Sequence, residues 1–108
     1  MQQTISSNFA ELVSASAGAF DDQLAQFFGL DEELVYEVRT PAGTDRAEPP
    51  GVLIYISPKP GARMPDGWGE VLDEHNLIWV GAQDSGNEVH VARRAGYALL
   101  APAAAAQV

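Results

Sequence analysis

Serine-based acyl transfer needs a hydroxyl with a base in reach and a third group to orient that base. This 108-residue chain has no cysteine, and only two histidines, His75 and His90, could supply the base. Two serines follow segments of interest: Ser57 in Ile56-Ser-Pro58 and Ser85 in Asp84-Ser-Gly86. Neither is framed as G-x-S-x-G, the pattern that exposes a nucleophile on a strand-to-helix turn. Ser85 reads instead as a helix cap, because Ser and Asp accept backbone N–H bonds at helix starts. His75 closes an expected helix in Asp73-Glu-His-Asn76, where a cationic ring answers the helix dipole, and its acidic neighbours read as solvated. His90 lies early in another expected helix with no second His at helical spacing, so no metal site is expected. Asp66, Asp73, Glu74 and Asp84 have no spacing that reads as a glycosidase pair. Arg93 and Arg94 could clamp a carboxylate, but the plainer reading is a solvated helix face paired with acids. Trp68 and Trp79 have aliphatic neighbours and no accompanying basic patch, which makes them core anchors rather than stacking platforms. No cofactor is expected.

Composition narrows the partners. Fifteen acidic residues against six Lys and Arg give a formal charge of −9. Nucleic acid and anionic membrane both require a basic face, so neither is expected as a partner. No apolar run approaches the roughly 18 residues of a membrane span. The first basic residue is Arg39, and Glu11 interrupts the one apolar stretch near the start. A signal peptide needs a positive start and an unbroken apolar middle, so a cytoplasmic chain is expected. The length allows one domain.

The elements that must position these residues follow from periodicity. Residues 1–19 are rich in Ser, Ala and Gln and read as a loosely structured arm, or a frayed strand around 11–14, preceding a domain over 20–108. Asp21 or Asp22 caps a short helix to Phe28, closed by Gly29. Residues 34–39 alternate, with Leu34, Tyr36 and Val38 on one face; this is a strand with one wetter face, expected near an edge. Residues 40–50 are turn chemistry, so the flanking strands should form a hairpin or an adjacent pair. Residues 52–56 and 77–80 are continuous apolar runs, expected as strands covered on both faces. Between them, prolines at 58, 60 and 65 hold a loop out of regular structure. A helix then covers 68–75, with Asn76 as a left-handed cap. Residues 88–100 read as a helix with Val91, Ala95, Leu99 and in addition Ala98 inward and Arg93 and Arg94 outward, and Pro102 either breaks it or begins a new turn. Residues 103–106 read as low complexity.

This order of strand, irregular loop, helix and strand resembles the entry half of an α/β-hydrolase domain of the esterase type. The likeness covers roughly residues 34–100, and Asp73-Glu-His-Asn-Leu-Ile-Trp79 is its most specific piece. Residues 52–57 resemble the central strand ending at the oxyanion-hole loop, 67–76 the helix after it, and 77–81 the next strand. Residues 84–87 and 91–94 resemble the turn and helix that precede the nucleophile strand. Family members place the acid and base after the nucleophile, so the resemblance assigns no triad member to this chain. Pro58 and Pro60 lack N–H groups. The oxyanion role it implies therefore falls on the backbone of Ser57, Lys59 and Gly61, with Lys59 N–H the favoured donor.

The expectation is thus an α/β fold: a small layered mixed or parallel sheet of at least three strands flanked by helices, resembling the N-terminal half of a hydrolase. The implied reaction of a complete relative is serine acyl transfer to water, with no hydrolysis by this chain alone. The alternative is a small non-catalytic α/β binding module. In either case a strand left at a bare sheet edge would promote self-association.

Overall fold

A computed structural model describes residues 2–16, 22–29, 31–42, 49–59, 61–83, 86 and 88–108. Asp21, residues 43–48, Pro60, Asp84, Ser85 and Asn87 lie outside them, and so do the cap and turn roles read for those positions. The elements are β1 (Gln2–Asn8), α1 (Phe9–Ala15), α2 (Asp22–Ala25), β2 (Glu33–Arg39), β3 (Gly51–Tyr55), α3 (Trp68–Glu74), β4 (Leu77–Ala82) and α4 (Val91–Ala105). They form a four-stranded mixed sheet in the order β1-β2-β4-β3 with helices on both faces, an α/β fold. β1 and β2 are antiparallel, β2 and β4 are antiparallel, and β4 and β3 are parallel, with Ile54 opposite Val80. A parallel pair cannot be joined by a tight turn. The chain accordingly crosses from β3 to β4 through a long loop and α3.

Side-chain alternation divides the interior in two. On the first face Leu34, Tyr36 and Val38 of β2 and Val80 and Ala82 of β4 pack beneath α1, α2 and α4. On the second face Trp79 packs with Leu72 of α3 and Ala62, against Leu53 and Tyr55 of β3. The expected strand alternation of 34–39 is therefore present, and its wetter face carries Glu37, which accepts hydrogen bonds from the side chains of Thr4 and Gln2.

Five sequence expectations are corrected. Residues 2–16 are an ordered strand and helix, not a loose arm or a strand at 11–14. Ser, Thr and Gln gave β1 almost no apolar signal, yet Ile5 faces the core and Asn8 Oδ1 caps α1 by accepting from Ala10 N–H at 2.9 Å. β2 consequently lies inside the sheet, because β1 covers its outer side. β2 and β3 are not neighbours, since β4 inserts between them. β3 is the edge strand: Val52 and Ile54 are 41% and 38% exposed rather than covered. Finally, α4 continues through Pro102 to Ala105, and Val91, Ala95 and Leu99 face outward. The buried face is Tyr97, Leu100, Ala101 and Ala104. Alanine carries too little apolar contrast to fix a helix face, which set the expected phase wrong.

Polar contacts fasten the helices. Tyr36 Oη, fully buried, donates to Tyr97 O at 2.8 Å, and burial pushes its phenol far above the ordinary value. Arg93, expected outward, donates to Phe27 O at 2.7 Å, pairs with both carboxylate oxygens of Glu32 and lies 4.7 Å from the centre of the Phe28 ring. At the far end of α4, Gln107 Nε2 donates to Ser7 Oγ at 2.6 Å, so the last turn rests against β1. Across the sheet Arg39 pairs with Asp73 of α3 at 3.0 Å.

Two measurements check this arrangement. Leu34→Ala should cost roughly 2–5 kcal/mol in denaturant unfolding. Ile54→Ala should cost under about 1.5 kcal/mol, because its side chain is already 38% exposed. Equal costs would require the outer side of β3 to be covered. The Glu32 carboxyl is held below its ordinary value of 4.5 chiefly by the Arg93 hydrogen bond, and Asp73 is lowered by Arg39 and by Ala42 N–H. Groups lowered in the folded state stabilise it above their unfolded values, and that contribution is lost as pH falls through the folded values. Stability should therefore decline as pH drops below 4.5. Glu32→Gln should flatten that decline in urea unfolding across acidic pH, and an unchanged acid limb would show that the Arg93 pair contributes nothing.

Candidate functional site

The loop between β3 and α3 leaves the C-terminal end of a parallel strand, where open α/β sheets place ligand crevices. Its prolines and Gly67 (φ 85°) keep it irregular until α3 begins. It surrounds a cavity of about 510 Å³ whose lining includes Tyr55, Ser57, Lys59, Arg63, Met64 and Asp66.

Ser57 is 5% exposed, and its Oγ accepts from Lys59 N–H at 3.1 Å. This alters the oxyanion expectation. Lys59 N–H, the favoured donor, is already engaged by its neighbour's hydroxyl. Gly61 has the open surroundings: a Cβ there would meet only the Gln83 amide oxygen, 3.8 Å away. Among the described residues Ser57 has no histidine partner, and Ser85 lies outside them.

Gln83 is the residue that sequence reasoning missed. Standing just after β4, its Oε1 accepts from Ala62 N–H at 3.3 Å and its Nε2 donates to Ala62 O at 3.2 Å. One side chain thereby replaces the backbone partner that Ala62 would have in a sheet, and Ala62 is pressed into the second core. No local motif marks such a clamp. Its only sequence signal is an amide side chain just past a buried strand.

The remaining candidates occupy structural places. His75 caps the C-terminus of α3, and the following Asn76 takes the left-handed conformation (φ 53°) as expected. His90 is the N-cap of α4: its Nδ1 accepts from Ala92 N–H at 3.0 Å, and its ring stacks on Phe27. Trp79 is fully buried, and its Nε1 has no partner among the described residues. Its ring overlies Gly81, where any Cβ would come within 2.4 Å of it, so glycine is required there. Trp68 is corrected from core anchor to rim: it is 38% exposed and meets the Tyr55 ring edge-on. Arg93 is committed to Glu32 and the α2 turn. Among the described residues no three of His, Asp and Glu converge as a metal site would require, and no helix is long and apolar enough to cross a membrane.

A second, apolar groove of about 230 Å³ runs beside β3 between Leu53, Trp68, Val71, Leu72 and Leu77. Val71 is 52% exposed there. The outer edge of β3 thus has apolar side chains on both faces and no charged residue between Gly51 and Tyr55.

The Gln83 clamp can be tested directly. Gln83→Leu should accelerate amide hydrogen exchange at Ala62 by roughly five- to tenfold, the equivalent of one modest hydrogen bond, while Leu34 exchange stays unchanged. Unaltered exchange at Ala62 would show that the loop holds its shape without Gln83. Comparison with known protein families, with curated proteins and with solved structures returns no match to this chain.

Proposed function

We propose that this chain is the N-terminal part of an α/β-hydrolase-like esterase, supplying the first strands of the sheet and the oxyanion side of the site but no nucleophile. The observation that carries this is the coincidence of a cavity at the C-terminal end of β3 with an edge of that same strand that no described strand covers. The resemblance implies a further strand beside those described and an oxyanion loop after the central strand. A strand docked along β3 would satisfy its outer backbone groups and cover Val52 and Ile54. A turn at that strand's C-terminal end would bring a serine to the rim of the cavity, opposite Gly61 N–H. The serine would attack the acyl carbonyl, and backbone N–H groups would stabilise the developing oxyanion. Without that strand no acyl transfer is expected.

A second reading is favoured by a different observation. The last turn of α4 rests on β1 through Gln107 and Ser7, at the opposite edge from β3, and the first core is filled by α1, α2 and α4. On this reading the chain is a small non-catalytic module that binds a second copy of itself through β3. The −9 charge opposes association, but salt screens it within about 8–10 Å, whereas edge pairing acts at contact.

The two readings divide on one set of measurements. The esterase reading expects the coding frame to continue past Val108 into a G-x-S-x-G. It also expects the isolated chain to show no turnover of short acyl esters above buffer, with Ser57→Ala and Ser85→Ala leaving any trace unchanged. A stop codon after Val108 would overturn it in favour of the module, whereas salt-enhanced dimers in sedimentation are expected of a bare β3 edge on either reading. Activity abolished by either serine substitution would overturn both.

A further inference from the structure

Four of the chain's six basic residues are Arg39, Arg46, Arg93 and Arg94. Arg39 is paired with Asp73 and Arg93 with Glu32; Arg46 lies outside the described residues, and Arg94 is half-buried on α4. The other two, Lys59 and Arg63, both line the cavity after β3. Both are exposed, and neither forms an ion pair among the described residues, not even with Asp66 on the same wall. In a chain of charge −9 this is a local inversion of sign, with two cations and one carboxylate around a single cavity. The rest of the wall is apolar or aromatic, from Tyr55, Met64 and the prolines, and the buried Ser57 hydroxyl stands among them.

We propose that this cavity binds a small organic anion, a carboxylate or phosphate head on an apolar body. The guanidinium of Arg63 can grip two oxygens of such a head, and the Lys59 ammonium supplies a point charge beside it. Tyr55 and Met64 offer contact to the body, as the walls of small-molecule sites do. The protein's overall negative charge does not forbid this. Beyond about 8–10 Å it is screened at physiological salt, while Lys59 and Arg63 act at contact. Asp66 opposes the anion and sets a limit on its affinity. If the esterase reading holds, this names its substrate class, an acyl ester bearing an acidic group. Binding rests on that reading only in sharing the cavity, and it is measured without catalysis.

The experiment is a titration of the isotope-labelled chain followed by amide chemical shifts at fixed ionic strength. Benzoate, phenyl phosphate and inorganic phosphate are the probes, and chloride is the control. Saturable shifts are expected at Ser57, Lys59, Gly61 and Arg63 with benzoate and phenyl phosphate, weaker binding with inorganic phosphate, and none with chloride. Comparison of benzoate with phenyl phosphate assigns the head group. Lys59→Gln with Arg63→Gln should weaken binding by about tenfold or more, as loss of two contact charges requires. The shifts of the first core report that the double variant is folded. Asp66→Asn, which removes the opposing charge, should strengthen binding severalfold. No saturable response, an equal response to chloride, or affinity untouched by the double variant would overturn the proposal. Inorganic phosphate binding as tightly as phenyl phosphate would overturn the apolar half of it. Each of these outcomes can occur with or without an esterase active site in a longer chain, so the two proposals fail separately.

Discussion

Strand β4 is the constraint on which the other elements depend. It is the strand whose two faces feed both cores, Val80 into the first and Trp79 into the second, and both side chains are fully buried. A strand covered on both faces must be almost wholly apolar, and 77–82 is. Because β4 pairs parallel with β3, the connection between them must cross a face of the sheet, and α3 does so over Trp79. That crossover obliges the β3–α3 loop to lie at the C-terminal end of β3, which is why a cavity forms there. Gly81 lets the Trp79 ring lie flat against the strand, and Gln83, just beyond, ties the loop down at Ala62. The site is thus a consequence of how β4 is buried.

On the opposite face, small residues take the place of large ones. Ala101, Ala104 and Ala105 let α4 approach the sheet closely, while Tyr97 and Leu100 fill the space between. Pro102 interrupts one hydrogen bond of the helix but faces solvent, where water can satisfy the carbonyl it orphans. Arg93 adds direction: its single guanidinium holds the end of the α2 turn, a carboxylate and an aromatic face at once. A partly buried fork of this kind fixes orientation more than it adds free energy.

The legible parts of the sequence were those with strong contrast. Alternation in 34–39, the two apolar runs, the proline-rich loop and the left-handed Asn76 all stand where they were read. The α/β class follows from them. What escaped was whatever depends on partners distant in sequence. β1 is polar because it is an edge strand that lends one face to the core, so its membership of the sheet is visible only once β2 is in place. β3 looks like a central strand, yet it ends the sheet, because periodicity reports which faces are apolar and not whether anything covers them. The phase of α4 escaped for want of contrast among alanines. At the site, the loop was legible and its internal wiring was not: the Ser57–Lys59 bond and the Gln83 clamp are tertiary choices by residues that are equally at home in solvent.

The mismatch at β3 links fold to function. An edge strand in a stable soluble domain usually carries a charge or proline that blocks pairing. β3 carries neither, and its sequence is that of a strand meant to be covered. A continuous apolar run on an open edge costs solubility and offers a surface on which another strand could pair. A strand paired there would lie beside the cavity where Lys59 and Arg63 outnumber Asp66 among the described residues. A chain with fifteen acidic residues that gathers two of its six cations around a single loop concentrates its attraction for anions at that place. On the proposed reading, strand pairing and anion binding would meet at the C-terminal end of β3, because the cavity opens at the end of the same strand that forms the edge.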